Sequence, residues 1–296
     1  MNARGKSVDK TYLSVDQAEK RGFIHRDYLA HCLRWSHVCK CLYQKKLYES
    51  AIILDVGCGR ELPMAKMLYS SRLIPRHYFG VDVGPIEDQA CRAIGNGKFP
   101  HTVFENTNLL ELQIKDICEV SNRVQEWGKD VAPNIVTCFE VLEHVEPKMM
   151  IAMLKHLRAI TSDDCRFFFS TPCWNRIDCA DNHVNEMTYE ALGSVFERCG
   201  FIIQNVYGTF ASIRDYETQP YMMQYQKLFQ ELRAYYDSNF LSCIFAPLFP
   251  AQSRNCLWEL KKNKTGEPIL DGKFKLLTAQ PEPWGSSTLW REMWQP

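Results

Sequence analysis

The rhythm of apolar and polar positions changes near residue 50. Before that point, over 14–48, apolar residues recur at helical spacing. Leu29, Leu33, Val38 and Leu42 fall on the stripe of a helix predicted from about Arg26 to Leu47. Ser14 is a candidate N-cap for an earlier helix with acidic residues in its first turn, and Gly22 is where that helix breaks. Beyond residue 50 come short apolar runs. Ala51-Ile52-Ile53-Leu54-Asp55-Val56 shows almost no polar alternation, the texture of a parallel strand covered on both faces. Similar runs predict strands over 78–82, 101–105, 134–139, 166–171, 201–210 and 255–260. Helical segments are predicted over 61–73, 146–160 and 188–199. Strands alternating with helices imply an α/β fold, with a seven-stranded, mostly parallel sheet and helices on both faces.

Three regions are expected: an N-terminal helical part over 1–50, a main domain over 51–262 with an insertion at about 211–254, and a tail over 263–296. The insertion is rich in aromatic residues and Met (Tyr221, Met222, Met223, Tyr225, Phe229, Tyr235, Tyr236, Phe240), a pattern of core or of a pocket wall. Trp284, Trp290 and Trp294 on the aperiodic tail are expected to dock on the body or on a protein partner.

Composition narrows the setting. At 46 % hydrophobic and 24 % charged residues, the 296-residue chain can bury a full core without staples. No run approaches the roughly 18 apolar residues of a membrane span, and Met1 to Lys10 is too polar for a secretory signal. The 13 cysteines include no C-x-x-C pair, so reduced thiols and a cytoplasmic location are expected. Net charge is +0, which argues against gripping long duplex nucleic acid through phosphates. Residues 1–50 nevertheless hold ten Lys/Arg against five Asp/Glu, a basic excess that suits an anionic substrate or a solvated face.

The strongest chemical signal is Asp55-Val56-Gly57-Cys58-Gly59-Arg60-Glu61. A strand that turns sharply into a helix, with a ligand passing close over the turn, calls for glycine. The free N–H groups at a helix start attract a polar ligand end. The next strand ends in Gly80-Val81-Asp82, where a carboxylate can accept ribose hydroxyls or cap a helix.

Together Asp55-x-Gly57-x-Gly59 and Gly80-x-Asp82 resemble the first two motifs of the class I S-adenosylmethionine-dependent methyltransferases. The resemblance continues through Asn134–Val145, Ser170-Thr171-Pro172, and Thr188–Leu192 followed by Cys199-Gly200-Phe201, so it spans 51–210. It implies a Rossmann-like class I fold and S-adenosylmethionine as cofactor. By that resemblance Gly57, Cys58 and Gly59 face the methionine part of the cofactor, and Asp55 lies near its amino group. Asp82, with Val83 beside it, holds the ribose. Asn108 and Leu109 contact adenine, and Phe139 and Glu140 complete the cofactor-facing set. The family usually carries Asp where Asn108 stands and a third glycine where Glu61 stands.

Methyl transfer from a sulfonium needs a positioned nucleophile and, for some acceptors, a base. Glu140, Glu143 and His144 follow the fourth strand, the edge where open α/β sheets bind substrates, and His183 lies in a polar loop downstream. Glu-x-x-Glu-His with a distant His resembles the divalent-metal site of small-RNA 3′-end ribose methyltransferases, and a related arrangement occurs in ubiquinone-biosynthesis O-methyltransferases. Three readings stand: Glu140, Glu143, His144 and His183 bind Mg²⁺ or another divalent metal; His144 or His183, with Glu140 nearby, is a metal-free base; or the segment only caps a helix. Adjacent Glu143 and His144 share a direction only on an irregular turn. The Asp/Asn-Pro-Pro-aromatic run of enzymes that methylate exocyclic amines in DNA is missing, since that place reads Cys138-Phe139-Glu140-Val141. Arg26-Asp27-Tyr28 and Arg34-Trp35 are candidates for a lid over the cofactor or for plain packing on the sheet. The acceptor classes are a small molecule methylated on O or N, and a nucleotide, RNA end or modified nucleobase. A catalytically inactive binding subunit is the third reading.

Overall fold

The structure is a computed structural model describing residues 26–84, 102–106, 110, 132–174, 176, 179–210, 225–236, 238–274, 285–287 and 290. Its strands are β1 (Ile52–Val56), β2 (His77–Asp82), β3 (Thr102–Asn106), β4 (Ile135–Phe139), β5 (Arg166–Pro172), β6 (Phe201–Phe210) and β7 (Asn255–Lys262). Among the described residues they form one seven-stranded sheet in the order β3-β2-β1-β4-β5-β7-β6. The first five pair in parallel, and β7 runs antiparallel between β5 and β6. The mostly parallel seven-stranded sheet expected from the sequence is therefore present, with β7 two residues longer than its apolar run. The chain works outward from β1 to β3, then resumes on the other side of β1 as β4. That reversal opens a crevice beyond the carboxyl ends of β1 and β4, where open α/β sheets bind ligands.

Side chains alternate across the sheet with period two. Leu54, Val56, Val136, Cys138, Phe167 and Phe169 face the helices Pro147–Ile160 and Tyr189–Arg198. Ile53, Tyr78, Ile135 and Phe168 face the opposite layer, helix α1 (Arg26–Gln44) and helix α2 (Pro63–Ser70). Full burial of a Leu or Phe side chain contributes about 1.5–3 kcal/mol, so continuous apolar strands are what a sheet covered on both faces selects. Helix α1 buries Arg34, Trp35, Val38, Cys39 and Leu42 against that second face. It is a layer of the sheet domain. Of the candidate lid residues, Arg34 and Trp35 are packed beneath it, and the side chains of Arg26, Asp27 and Tyr28 lie outside the described residues.

Between β6 and β7 the described residues carry helices Gln226–Leu232 and Ser238–Phe245. Phe229, Leu241, Phe245, Ala246 and Phe249 form a small core of their own there, while Tyr235 is exposed. Tyr221, Met222 and Met223 lie outside the described residues. In the tail, Trp290 is buried and its Nε1 donates to Asn185 Oδ1 at 2.7 Å, so it docks on the body; Trp284 and Trp294 lie outside the described residues. The described cysteines are free thiols, and among them Cys179 alone is exposed. No described helix is long and apolar enough to cross a membrane.

Candidate active site

At the end of β1 the backbone turns through Gly57 (φ 67°) and Gly59 (φ 73°), left-handed values that cost an L side chain about 1–2 kcal/mol. A Cβ on Gly57 would also sit 2.3 Å from Val141 Cγ2. The turn is tied to β2: Gly57 N and Cys58 N both donate to Val81 O, at 2.8 and 3.1 Å. Asp82 completes the tie. Its Oδ2 accepts from Gly59 N at 3.0 Å and its Oδ1 from Gly84 N at 2.7 Å. The carboxylate thus holds the glycine turn in shape and stands at the carboxyl end of β2.

Asp55 lies two residues from Ile53 and so faces the α1 layer. Its Oδ1 accepts from Thr137 Oγ1 at 2.7 Å, and its Oδ2 accepts from the Tyr78 hydroxyl. Burial pushes its carboxyl up to about 6, against the pull of the two hydroxyls, and the charge of Asp82 adds to the rise. Asp55 borders the crevice but spends both oxygens inside the protein.

Glu140 follows β4 with φ 56°, a strained value for a residue with a side chain. Its surroundings fix it there. Oε1 accepts from Arg34 Nη1 (2.7 Å), Ser170 Oγ (2.9 Å) and Asn255 Nδ2 (3.0 Å), and Asn255 Nδ2 also reaches Oε2 at 3.0 Å. Asn255 Oδ1 in turn accepts from Arg34 Nη1 at 3.0 Å and from Thr209 Oγ1 at 3.0 Å. Five elements meet at this clamp. Glu140, a candidate metal ligand and cofactor-facing residue from the sequence, is the anion of a part-buried pair with Arg34. Arg34 Nη2 also donates to His31 Nδ1, so the neutral His31 ring carries its proton on Nε2. Burial, with the charge of Arg34, holds His31 well below the usual histidine range.

Glu143 and His144 sit on a single 3₁₀ turn, Leu142–His144, entered through Val141. This is the irregular turn that lets adjacent side chains converge. Glu143 is buried, Thr171 Oγ1 donates to its Oε2 at 2.9 Å, and burial raises its carboxyl well above the usual range, with the nearby Glu140 charge adding. The His144 Nδ1 pairs with the backbone carbonyl of Asn182 at 2.9 Å. A carbonyl only accepts, so Nδ1 carries the proton and Nε2 keeps its lone pair in the neutral ring. Nε2 stands 3.9 Å from Glu143 Oε1. The His183 ring lies 4.8 Å from that of His144, and its Nδ1 pairs with Glu186 Oε1. Glu143, His144 and His183 each offer one ligand atom, all within 4.8 Å of one another; Glu140 is not in that group.

A cavity of about 600 Å³ opens over these elements, within the roughly 300–1,000 Å³ of small-molecule sites. Of the residues singled out in the sequence, Asp55, Gly57, Cys58, Gly59, Asp82, Val83, Phe139, Glu140 and His144 border it. His183 stands behind His144. Asn108 and Leu109 lie outside the described residues, although Leu110 borders the cavity. S-adenosylmethionine fits this wall chemically: backbone at the left-handed glycine turn for the amino-acid end, the Asp82 carboxylate for a ribose, and apolar Met64, Leu110 and Val141 for the rest. Asn255 had no motif to mark it, and the motif around Ser170 did not show its bond to Glu140. Their roles arise from pairings such as Arg34 with Asn255, 221 positions apart.

A family model for a methyltransferase domain matches residues 34–206, more than half of the chain. No curated protein matches. Among solved structures, magnesium protoporphyrin IX methyltransferase from Synechocystis PCC 6803 with bound S-adenosylhomocysteine is similar at 13 % identity and TM-score 0.48, covering 86 % of this chain and 90 % of that one. The 1,6-didemethyltoxoflavin-N1-methyltransferase of Burkholderia thailandensis is similar at 14 % identity and TM-score 0.44, covering 75 % of each chain. The methyltransferase domain of bacterial CtHen1-CN is similar at 15 % identity and TM-score 0.47, covering 78 % of this chain and 99 % of that one.

Proposed function

The chain belongs to the methyltransferase-domain family, the class I S-adenosylmethionine-dependent enzymes, and we propose that its acceptor is a small molecule methylated on oxygen or nitrogen. The observation that carries this reading is the cavity wall. It brings together the glycine turn, Asp82 and His144, and among its described residues there is no Lys or Arg, while Asp55, Asp82, Glu140 and Glu146 are acidic. Such a wall offers no cation to hold the phosphates of an acceptor such as an RNA end. Much of the rest of the wall is apolar: Trp35, Met149 and Met153 line it, and His31 stacks on Trp35 at 5.3 Å between ring centroids.

The cofactor, when bound, supplies an electrophilic methyl group on a sulfonium. The chain's residues then have three tasks. The glycine turn and Asp82 bind and orient. The apolar wall excludes water, which strengthens every polar contact inside. His144, with Nδ1–H held by the Asn182 carbonyl, presents Nε2 as the proton acceptor for the attacking O–H or N–H. We assign His144 this role and give Glu140 the positioning of Arg34 and Asn255.

A second reading rests on the Glu143, His144 and His183 group. Both imidazoles are pinned through Nδ1, by a carbonyl and by a carboxylate, and Thr171 orients Glu143. Metal ligands are supported by just such outer partners. A divalent ion held there would bind acceptor oxygens and lower a hydroxyl pKa. An acceptor screen with radiolabelled cofactor, run before and after EDTA treatment, tests both. Labelling of small metabolites that survives EDTA supports His144 as a free base. Labelling lost to EDTA and restored by Mg²⁺ supports the metal reading. Labelling of RNA ends with none of small metabolites sinks the small-molecule assignment.

A further inference from the structure

A second cluster of ligand-type side chains lies away from the cavity. His37 and Cys41 sit four residues apart on α1, one turn above the other on the side facing the sheet. Glu259 projects from β7 on the same side of the sheet as Phe168, its register partner. The Nε2 of His37 and the Sγ of Cys41 are 3.4 Å apart, and a Glu259 oxygen lies within 4.8 Å of both. None of the three borders the cavity.

We propose that His37, Cys41 and Glu259 form a binding site for a zinc-type divalent ion that staples α1 to β7. Distances carry the first argument. With Zn–N of about 2.0–2.1 Å and Zn–S of about 2.3 Å, a tetrahedral ion holds its N and S ligands about 3.6 Å apart. The observed 3.4 Å is that spacing to within a small side-chain adjustment. Donor chemistry carries the second. One thiolate, one imidazole and one carboxylate form a borderline-soft set that selects zinc over magnesium or calcium. Support of the ligands carries the third. Arg166 Nη1 donates to Glu259 Oε1 at 3.1 Å and Asn205 Nδ2 to Oε2 at 2.9 Å, which fixes the carboxylate and leaves lone pairs to spare. The His37 ring is wedged 4.6 Å from that of Tyr207 and 6.2 Å from that of Phe168. Lys45, 3.8 Å from Glu259 Oε1, joins Arg166 in offsetting the negative ligands. His37 is half-buried and gives the ion a way in, leaving the fourth position open to water.

The site has a structural consequence. Helix α1 carries Arg34 and Trp35 one turn before His37, and β7 carries Asn255 four residues before Glu259. An ion here would lock together the two elements that the Arg34–Asn255 bond joins at the cavity.

The test is a titration of the full-length, chelator-treated protein with Co²⁺, followed by absorption. We expect a thiolate-to-cobalt charge-transfer band in the near ultraviolet, saturating at one ion per chain, removed by excess Zn²⁺, and a higher Tm with Zn²⁺ than without. The band should vanish in Cys41→Ser and persist in Cys39→Ser. In His37→Gln the ion should bind at least roughly 10–100-fold more weakly, the cost of losing even an outer partner of a metal ligand. A wild-type protein without the band, or a band that survives Cys41→Ser, overturns the proposal. Should Cys41→Ser fail to fold, an unchanged Co²⁺ titration in His37→Gln overturns it instead. The Glu143, His144 and His183 group has no sulfur, so cobalt bound there gives no such band and the two sites are told apart.

Discussion

Asp55 is a carboxylate buried under helix α1 and held by two hydroxyls, and burial still raises its pKa from 3.8 to about 6. The folded chain therefore holds this proton more tightly than the unfolded chain does. The stabilising contribution is fully present below about pH 3.8 and is lost as pH rises through about 6. At 1.36 kcal/mol per unit, the loss is about 3 kcal/mol in order of magnitude. Replacing Asp55 by Asn removes this titration. Urea unfolding at a series of pH values should show Asp55→Asn gaining on the wild type between about pH 4 and pH 7; a difference that stays flat would contradict the assigned cause. At His144 the expected effect is on turnover. His144→Ala should lower kcat by about 10²–10⁴-fold, the usual contribution of a general base, while calorimetric affinity for the cofactor stays within about twofold. A fall in affinity with kcat preserved would place His144 in the cofactor site and not in proton transfer.

At the scale of elements, the clamp around Glu140 decides how α1, β4, β5, β6 and β7 meet at the cavity. Removing one partner of a buried pair leaves an uncompensated charge, at about 3–5 kcal/mol. Arg34→Ala should therefore destabilise the protein by about 3 kcal/mol in chemical unfolding. Because Arg34 and Asn255 touch the same Glu140 oxygen, the double variant with Asn255→Ala should cost about 0.5–3 kcal/mol less than the two single costs added. Strict additivity would mean that the three side chains do not act as a unit. These elements were differently legible in the sequence. The strands were visible because both sheet faces are covered, which forces continuous apolar runs such as Ile52–Val56. Gly57 and Gly59 were visible because a left-handed turn leaves few residue choices, and Asp82 because it closes the next strand. The pairing of Arg34 with Asn255 carried no local signal, because it is a contact between residues 221 positions apart. The pairing of Glu140 was hidden for the same reason, since only the fold shows the three donors aimed at it. The convergence of Glu143 and His144 depended on a 3₁₀ turn that periodicity does not specify.

At the scale of the molecule, two features close the body: α1 covers one sheet face, and Trp290 of the tail is buried on it. Trp290→Ala removes a large buried ring and its bond to Asn185. It should cost about 3–5 kcal/mol, read as a lower Tm, with cofactor affinity retained because Trp290 does not border the cavity. The site itself follows from the sheet order, in which the reversal beside β1 opens a crevice and the glycine turn and Asp82 furnish it. Isothermal calorimetry of S-adenosylmethionine on the wild type and on Asp82→Ala measures that claim directly. Micromolar binding to the wild type, weakened at least about 30-fold in the variant by loss of roughly 2 kcal/mol of charged hydrogen bonding, is the expected result. No binding to the wild type, or equal binding to both proteins, would contradict the site described here.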